Sequence, residues 1–191
     1  IGNHMFMQHL GDDGVGAFGV SCYYLPFIFM IGNAIAQSAQ PIISYNFGIG
    51  NRERVSSAFR VSLIAVLVCG IISTSAFVLF PKLLVGLFLP LDNAAAHIAV
   101  EGFPYYGIGF VFFILNLSII GFYQSIERVK PATVFALFRG FIFLIPCFIF
   151  LSEATGTKGI WLALPISEIL TTVSIIVFHI CDKSKNETEV L

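Results

Sequence analysis

Apolar runs of bilayer-crossing length, separated by short polar turns, organise the chain. A hydrocarbon core of about 30 Å needs roughly 20 apolar residues in a helix. Five segments meet that need: 15–46, 57–80, 94–123 (most apolar from 103), 132–151 and 159–180. Residues 1–10, IGNHMFMQHL, are too short to span and read as the end of a preceding helix. The expected fold is all-α: a polytopic transmembrane helix bundle of about five complete spans plus a helix stub over 1–181, then a charged cytoplasmic tail over 182–191. The longer connection, 81–102, holds PKLLVGLFLP, apolar yet too short to cross and suited to the interface. Asp92 is placed to cap AAAHIAVEG, and Pro104 to kink the helix that follows.

Composition fixes the solvent. Hydrophobic residues make up 57% of the chain and charged residues 11%, with a mean hydropathy of +0.91. A soluble domain carries about 25% charged residues, so this chain has too little polar surface for water and is read as an integral membrane protein. A net charge of −1 gives no electrostatic basis for binding nucleic acid. Lysine and arginine set the orientation. Arg52, Arg54, Arg60, Arg128, Lys130, Lys183 and Lys185 fall on one side, and Lys82 and Lys158 on the other, seven against two. The 47–55 turn, the 124–131 turn and the C-terminus are therefore expected in the cytoplasm. Cys22, Cys69, Cys147 and Cys181 show no C-x-x-C spacing and read as small buried apolar residues. The start at Ile1, with no basic n-region or cleavage pattern, reads as the later part of a longer protein rather than a signal peptide.

Polar side chains at membrane depth cost about 2.5–3.5 kcal/mol each for the charged types and need a reason. Asn33, Gln37, Gln40 and Ser44 are spaced 4, 3 and 4 and share one helical face with Cys22 and Pro26. Lining of a water-filled cavity and hydrogen bonding to a neighbouring helix both suit that strip. Asn116 lies mid-span with Tyr105, Gly109 and Phe112 on its side, and the same two readings apply. Arg139 and Glu168 are the only charges well inside a span. Their depths differ by roughly 6 Å at 1.5 Å per residue, a gap an arginine can cover. A structural ion pair and a role in proton or cation coupling are both open.

Catalytic and metal chemistry find no footing. His4, His9, His97 and His179 sit at or beyond span ends. No nucleophile–base pair occurs at helical spacing, so the chain is not read as an enzyme. GIGN at 48–51 follows no strand and does not extend to G-x-G-x-x-G, and no phosphate-binding G-x-x-x-x-G-K-[ST] is present. No cofactor is expected, and an ion gradient is the expected energy source for any transport.

Four stretches carry a resemblance: AQSAQPIISYNFGIGNRERV (Ala36 to Val55), GFYQSIERVKPA at 121–132, FALFRGFIFLIP at 135–146 and GIWLALPISE at 159–168. In order and in register with the spans, they resemble the eighth-to-ninth, tenth-to-eleventh, eleventh and twelfth helices of the multidrug and toxic compound extrusion (MATE) family. The resemblance implies a C-terminal lobe of a twelve-helix transporter working by alternating access, with the N-terminal lobe missing from this chain. It implies a secondary antiporter in a bacterial cytoplasmic (inner) membrane, exporting cationic or aromatic drugs, small organic cations among them, in exchange for protons or sodium ions. It also places Gln37, Gln40 and Asn116 where the family's C-lobe cavity is lined. Some branches carry an acidic cation ligand midway along the tenth helix. Here Asn116 stands in that neighbourhood, and the seventh-helix acid would precede Ile1. The alternatives are a lipid-linked oligosaccharide flippase of the same superfamily, whose diphosphate calls for more cations at depth, and a structural membrane protein.

Overall fold

The computed structural model describes residues 2–188, with side chains through Asp182. Among them every regular element is a helix, and the all-α reading holds. The first, α1, is assigned to Gly2–Gly48 but breaks at Gly11, where φ is 64° and ψ −155°. That backbone region is open essentially to glycine alone. The break is a reversal. An unbroken helix would hold Phe6 and Phe18 about 18 Å apart, yet their rings stack with centroids 4.6 Å apart. A short leg up to Leu10 therefore folds back on a long leg that begins at Asp12.

The turn after α1 uses Gly50 at φ 76°, and Asn51 caps α2 (Arg52–Leu79) by accepting from the Arg54 amide at 3.1 Å. After the short α3 (Pro81–Gly86) comes α4 (Ala94–Gly107), whose cap is Asn93 rather than Asp92. Its side chain accepts from the Ala95 amide at 2.9 Å. Between α4 and α5 (Phe110–Ser125) the chain bends by 48°. The bend lies at Gly107–Gly109, not at Pro104. Glycine is needed there because a Cβ on Gly109 would stand 2.7 Å from Pro165 Cα. The Thr74 hydroxyl donates to the Gly107 carbonyl at 3.0 Å, closing a backbone group that hydrocarbon would leave open.

The expected 132–151 helix is not one regular helix. It runs as α6 (Val129–Leu137), a π-helical turn (Phe138–Ile142) and α7 (Leu144–Thr155). The Phe143 amide bonds the Phe138 carbonyl at 2.9 Å, five residues back. Pro146 is the physical cause: it has no N–H for the Ile142 carbonyl, and its ring needs the room a wider turn gives. Last comes α8 (Thr157–Thr188), so the segment expected as a tail from 182 is helical as far as Thr188; 189–191, like residue 1, lie outside the described residues. Among the described residues four helical stretches are long and apolar enough to cross a membrane, and the bent α4–α5 pair brings the number to five if it forms one span.

An aromatic cluster of Phe6, Phe77, Phe103, Tyr106, Phe110 and Trp161 forms the centre, all of them buried. The outer faces are equally apolar, with Ile64, Ile71, Ile72 and Ile176 exposed. The cysteines follow suit. Cys147 is buried and Cys69 partly so, but Cys22 and Cys181 are exposed, against the expectation of four buried thiols. In lipid an apolar residue is as well placed outside as inside.

Candidate functional site

The polar side chains at membrane depth divide into a closed network and an open strip. The network begins in the π turn, whose extra residue per turn sets the direction of Arg139. Arg139 Nη2 lies 2.8 Å and Nε 3.1 Å from Glu168 Oε1. Glu168 comes from α8 and its side chain is only 2% exposed, against 12% for that of Arg139. The guanidinium also lies 4.2 Å from the Phe113 ring centroid on α5. Asn116, also on α5, donates from Nδ2 to Glu168 Oε2 at 2.7 Å and to the Glu168 carbonyl at 2.9 Å. Thr172, one turn beyond Glu168, donates to Asn116 Oδ1 at 2.9 Å. Each charge has its counter-charge and each amide end its partner, which is how a buried ion pair avoids its desolvation cost.

Of the two sequence readings of Asn116, the geometry matches bonding to a neighbouring helix: it is fully buried between α5 and α8 with both ends of its amide engaged. The structure brings Asn116, Arg139 and Glu168 together, a grouping the sequence reading did not make beyond the Arg139–Glu168 pair. Thr172 was missed altogether. Its place one helical turn after Glu168, on the same face, was the available signal.

The open strip lies on the long leg of α1. Asn33 is half-buried, while Gln37, Gln40 and Ser44 are exposed. Among the described residues no hydrogen bond ends on the side chains of Asn33, Gln37 or Gln40, and no buried side-chain polar atom lacks a partner. The amides therefore face outward. The contact with α5 is made by other residues of the leg: a Cβ on Gly32 would stand 3.3 Å from Ile114 Cα, and one on Gly121 would stand 2.8 Å from Ala36 Cβ. Tyr105 does not join the strip. It lines a separate pocket of about 270 Å³ with Glu101, Lys158 and Trp161, where Lys158 Nζ lies 6.0 Å from its ring centroid.

A second ion pair holds the turn between α5 and α6 to α8. Arg128 grips Asp182 with both terminal nitrogens, at 2.6 and 2.8 Å. Its guanidinium lies 5.9 Å from the Tyr123 ring centroid and 5.8 Å from that of Phe178. Hydrogen bonding to Asp182 pushes the Arg128 pKa above the ordinary arginine value.

A family model described as MatE matches residues 4–149. The multidrug export protein MepA of Staphylococcus aureus (strain NCTC 8325 / PS 47) is 25% identical over 197 residues, covering 98% of this chain and 42% of that protein. The FAD transporter of Shewanella oneidensis is 26% identical over 188 residues, covering 95% of this chain and 40% of that protein. Of the solved structures, the outward-facing conformation of a multidrug resistance MATE family transporter of the MOP superfamily shares the fold. It does so with a TM-score of 0.82 at 15% identity, over 98% of this chain and 42% of that one. The chain thus spans 40–42% of the length of these relatives.

Proposed function

The chain belongs to the MatE family, one of membrane transporters and not of enzymes, and from that premise we propose that it is one lobe of a secondary antiporter. The proposed cargo is cationic or aromatic drugs and other toxic compounds, exported in exchange for protons or sodium ions. A second lobe, absent from this chain, would complete the pathway. The proposed setting is a bacterial inner membrane with the Arg52–Arg54 turn and the C-terminus in the cytoplasm.

One observation carries this reading: three amides, Asn33, Gln37 and Gln40, stand on one face of a membrane-spanning helix with no hydrogen-bond partner among the described residues. Hydrocarbon would penalise them; water, substrate or the other lobe would not. Neutral amides supply donors and acceptors without a fixed charge, which suits cargo that varies in shape. Alternating access moves one lobe against the other largely as a rigid body. The network of Arg139, Glu168, Asn116 and Thr172 ties α5, the π turn and α8 into such a body. We assign that network a clamping role and place the coupling acids in the rest of the protein.

The flippase reading is less well supported. A diphosphate calls for free cations, and the guanidinium of Arg139 is already matched by Glu168 at 2.8 Å. The test uses the full-length parent protein in vesicles with an imposed proton or sodium gradient. Gln37→Leu and Gln40→Leu are each expected to lower gradient-driven ethidium efflux at equal expression. Unchanged efflux in both variants removes the strip from the pathway. Movement of FAD in place of ethidium would shift the cargo to the flavin class named for the Shewanella relative.

A further inference from the structure

A cleft of about 570 Å³ opens between α1 and α2, within the range of about 300–1,000 Å³ typical of ligand pockets. On α1 it is walled by residues such as Ala34, Ala39 and Ile42. At about 100° per residue the centre of this wall lies roughly 160° around the helix from the centre of the amide strip. The cleft therefore belongs to the opposite side of the lobe from the proposed drug pathway.

Its polarity is graded. Arg54 and Ser57 stand at the mouth, both exposed. The Arg54 guanidinium belongs to neither ion pair found among the described residues. Deeper in, two hydroxyls are turned back onto their own helices: Ser38 donates to the Ala34 carbonyl at 2.7 Å and Ser62 to the Phe59 carbonyl at 2.9 Å. The inner wall is thus mainly apolar, with the two hydroxyl protons engaged within their own helices. From Arg54 to Ala65 the α2 wall rises about 16 Å at 1.5 Å per residue, close to half of a hydrocarbon core of about 30 Å. The walls do not close on each other, because α5 pins α2 beside the cleft and beyond it. Phe59 packs on Phe122 with centroids 4.1 Å apart, and a Cβ on Gly70 would stand 2.9 Å from Val111 Cα.

We propose that this cleft holds one acyl chain of an anionic phospholipid, with its headgroup phosphate on the Arg54 guanidinium. A cleft one leaflet deep, mainly apolar inside and basic at the interface matches a lipid in three respects: chain length, apolarity and charge. A flexible chain fills it where small side chains leave room.

The experiment reconstitutes the full-length parent protein in phosphatidylcholine vesicles. These are doped with phosphatidylglycerol or phosphatidylcholine carrying a diazirine on the acyl chain. After photolysis, labelled peptides are mapped by mass spectrometry. The phosphatidylglycerol probe is expected to concentrate on 34–42 and 54–65 rather than on the exposed face of α7. Arg54→Gln, at an exposed position in the first turn of α2, is expected to cut that labelling about fivefold, the worth of one basic residue against anionic lipid, with the phosphatidylcholine signal unchanged. Ala39→Phe, which fills the cleft, is expected to remove labelling by both probes. Uniform labelling of all lipid-facing helices overturns the proposal. So does labelling indifferent to headgroup and to Arg54→Gln, or a cleft sealed from both probes by the rest of the protein.

Discussion

Replacing Arg139 by leucine removes a guanidinium that lies 2.8 Å from a carboxylate whose side chain is only 2% exposed. Among the described residues nothing else of positive charge pairs with Glu168; its other oxygen keeps only the Asn116 amide, at 2.7 Å. Breaking one side of a buried ion pair costs about 3–5 kcal/mol. An ordinary interhelical hydrogen bond in a membrane protein is worth about 0.6 kcal/mol. At about 1.4 kcal/mol per factor of ten, the folded-to-unfolded ratio should fall by roughly two to four orders of magnitude. The double variant Arg139→Leu with Glu168→Leu removes both charges, and replacing a buried pair by apolar groups is often neutral or better. Asn116 then loses one acceptor but keeps the carbonyl of position 168 and the Thr172 hydroxyl. Recovery should therefore stop about 1 kcal/mol short of the parent. Reversible unfolding of the full-length protein in mixed micelles, followed by helical circular dichroism, measures all three. A double variant as unstable as Arg139→Leu alone refutes the pairing argument. So does a single-variant loss no larger than that of an ordinary hydrogen bond.

The same unfolding assay checks three further expectations. Gly11→Ala meets no atom within 4 Å yet places a side chain at φ 64°, so it should cost about 1–3 kcal/mol through backbone strain alone. Gly19→Ala, equally open but helical, should cost nothing or gain up to about 1 kcal/mol; the reverse order would dismiss the hairpin at Gly11. Gly102→Ala drives a methyl group into the buried indole of Trp161 and should destabilise by about 1–3 kcal/mol, whereas an unchanged midpoint would mean that α4 and α8 are not in close contact. Arg128→Gln breaks a pair whose side chains are 41% and 25% exposed, so its loss should stay below about 1 kcal/mol and fade with salt. Since the Arg128 pKa is raised on folding by the ionised Asp182 carboxylate, this contribution should persist from neutral pH up to the ordinary arginine range and be lost in acid as carboxylates protonate; its disappearance in mild alkali would contradict the hydrogen-bonded geometry.

Much of the fold was legible in the chain because a bilayer imposes two rules that act on sequence directly. A helix must be about 20 apolar residues long to cross, and basic residues stay on one side. Length, apolarity and the positions of arginine and lysine therefore mark spans and turns without any knowledge of packing. The spacing of Asn33, Gln37 and Gln40 gave one face by the 3.6-residue period alone, and the match in depth of Arg139 and Glu168 gave a pairing.

What the sequence could not decide is which face of each helix looks inward. In water, polarity separates surface from core; in lipid, both are apolar, and that contrast disappears. Asn116 illustrates the loss: as a lone amide in a span it suits a cavity or a helix interface equally, and only the packing of α8 against α5 chose the interface. Cys22 and Cys181 show the same ambiguity from the apolar side. The breaks at Gly11 and Gly109 also needed tertiary structure, each set by what a neighbouring segment demands at that point: Phe18 against Phe6 and Pro165 against Gly109. The π turn has its cause in Pro146, and the tertiary structure adds that it brings Arg139 to Glu168. The sequence by itself determined that this chain is an all-helical membrane protein. The tertiary structure decided which of its few polar groups close on one another and which stay open.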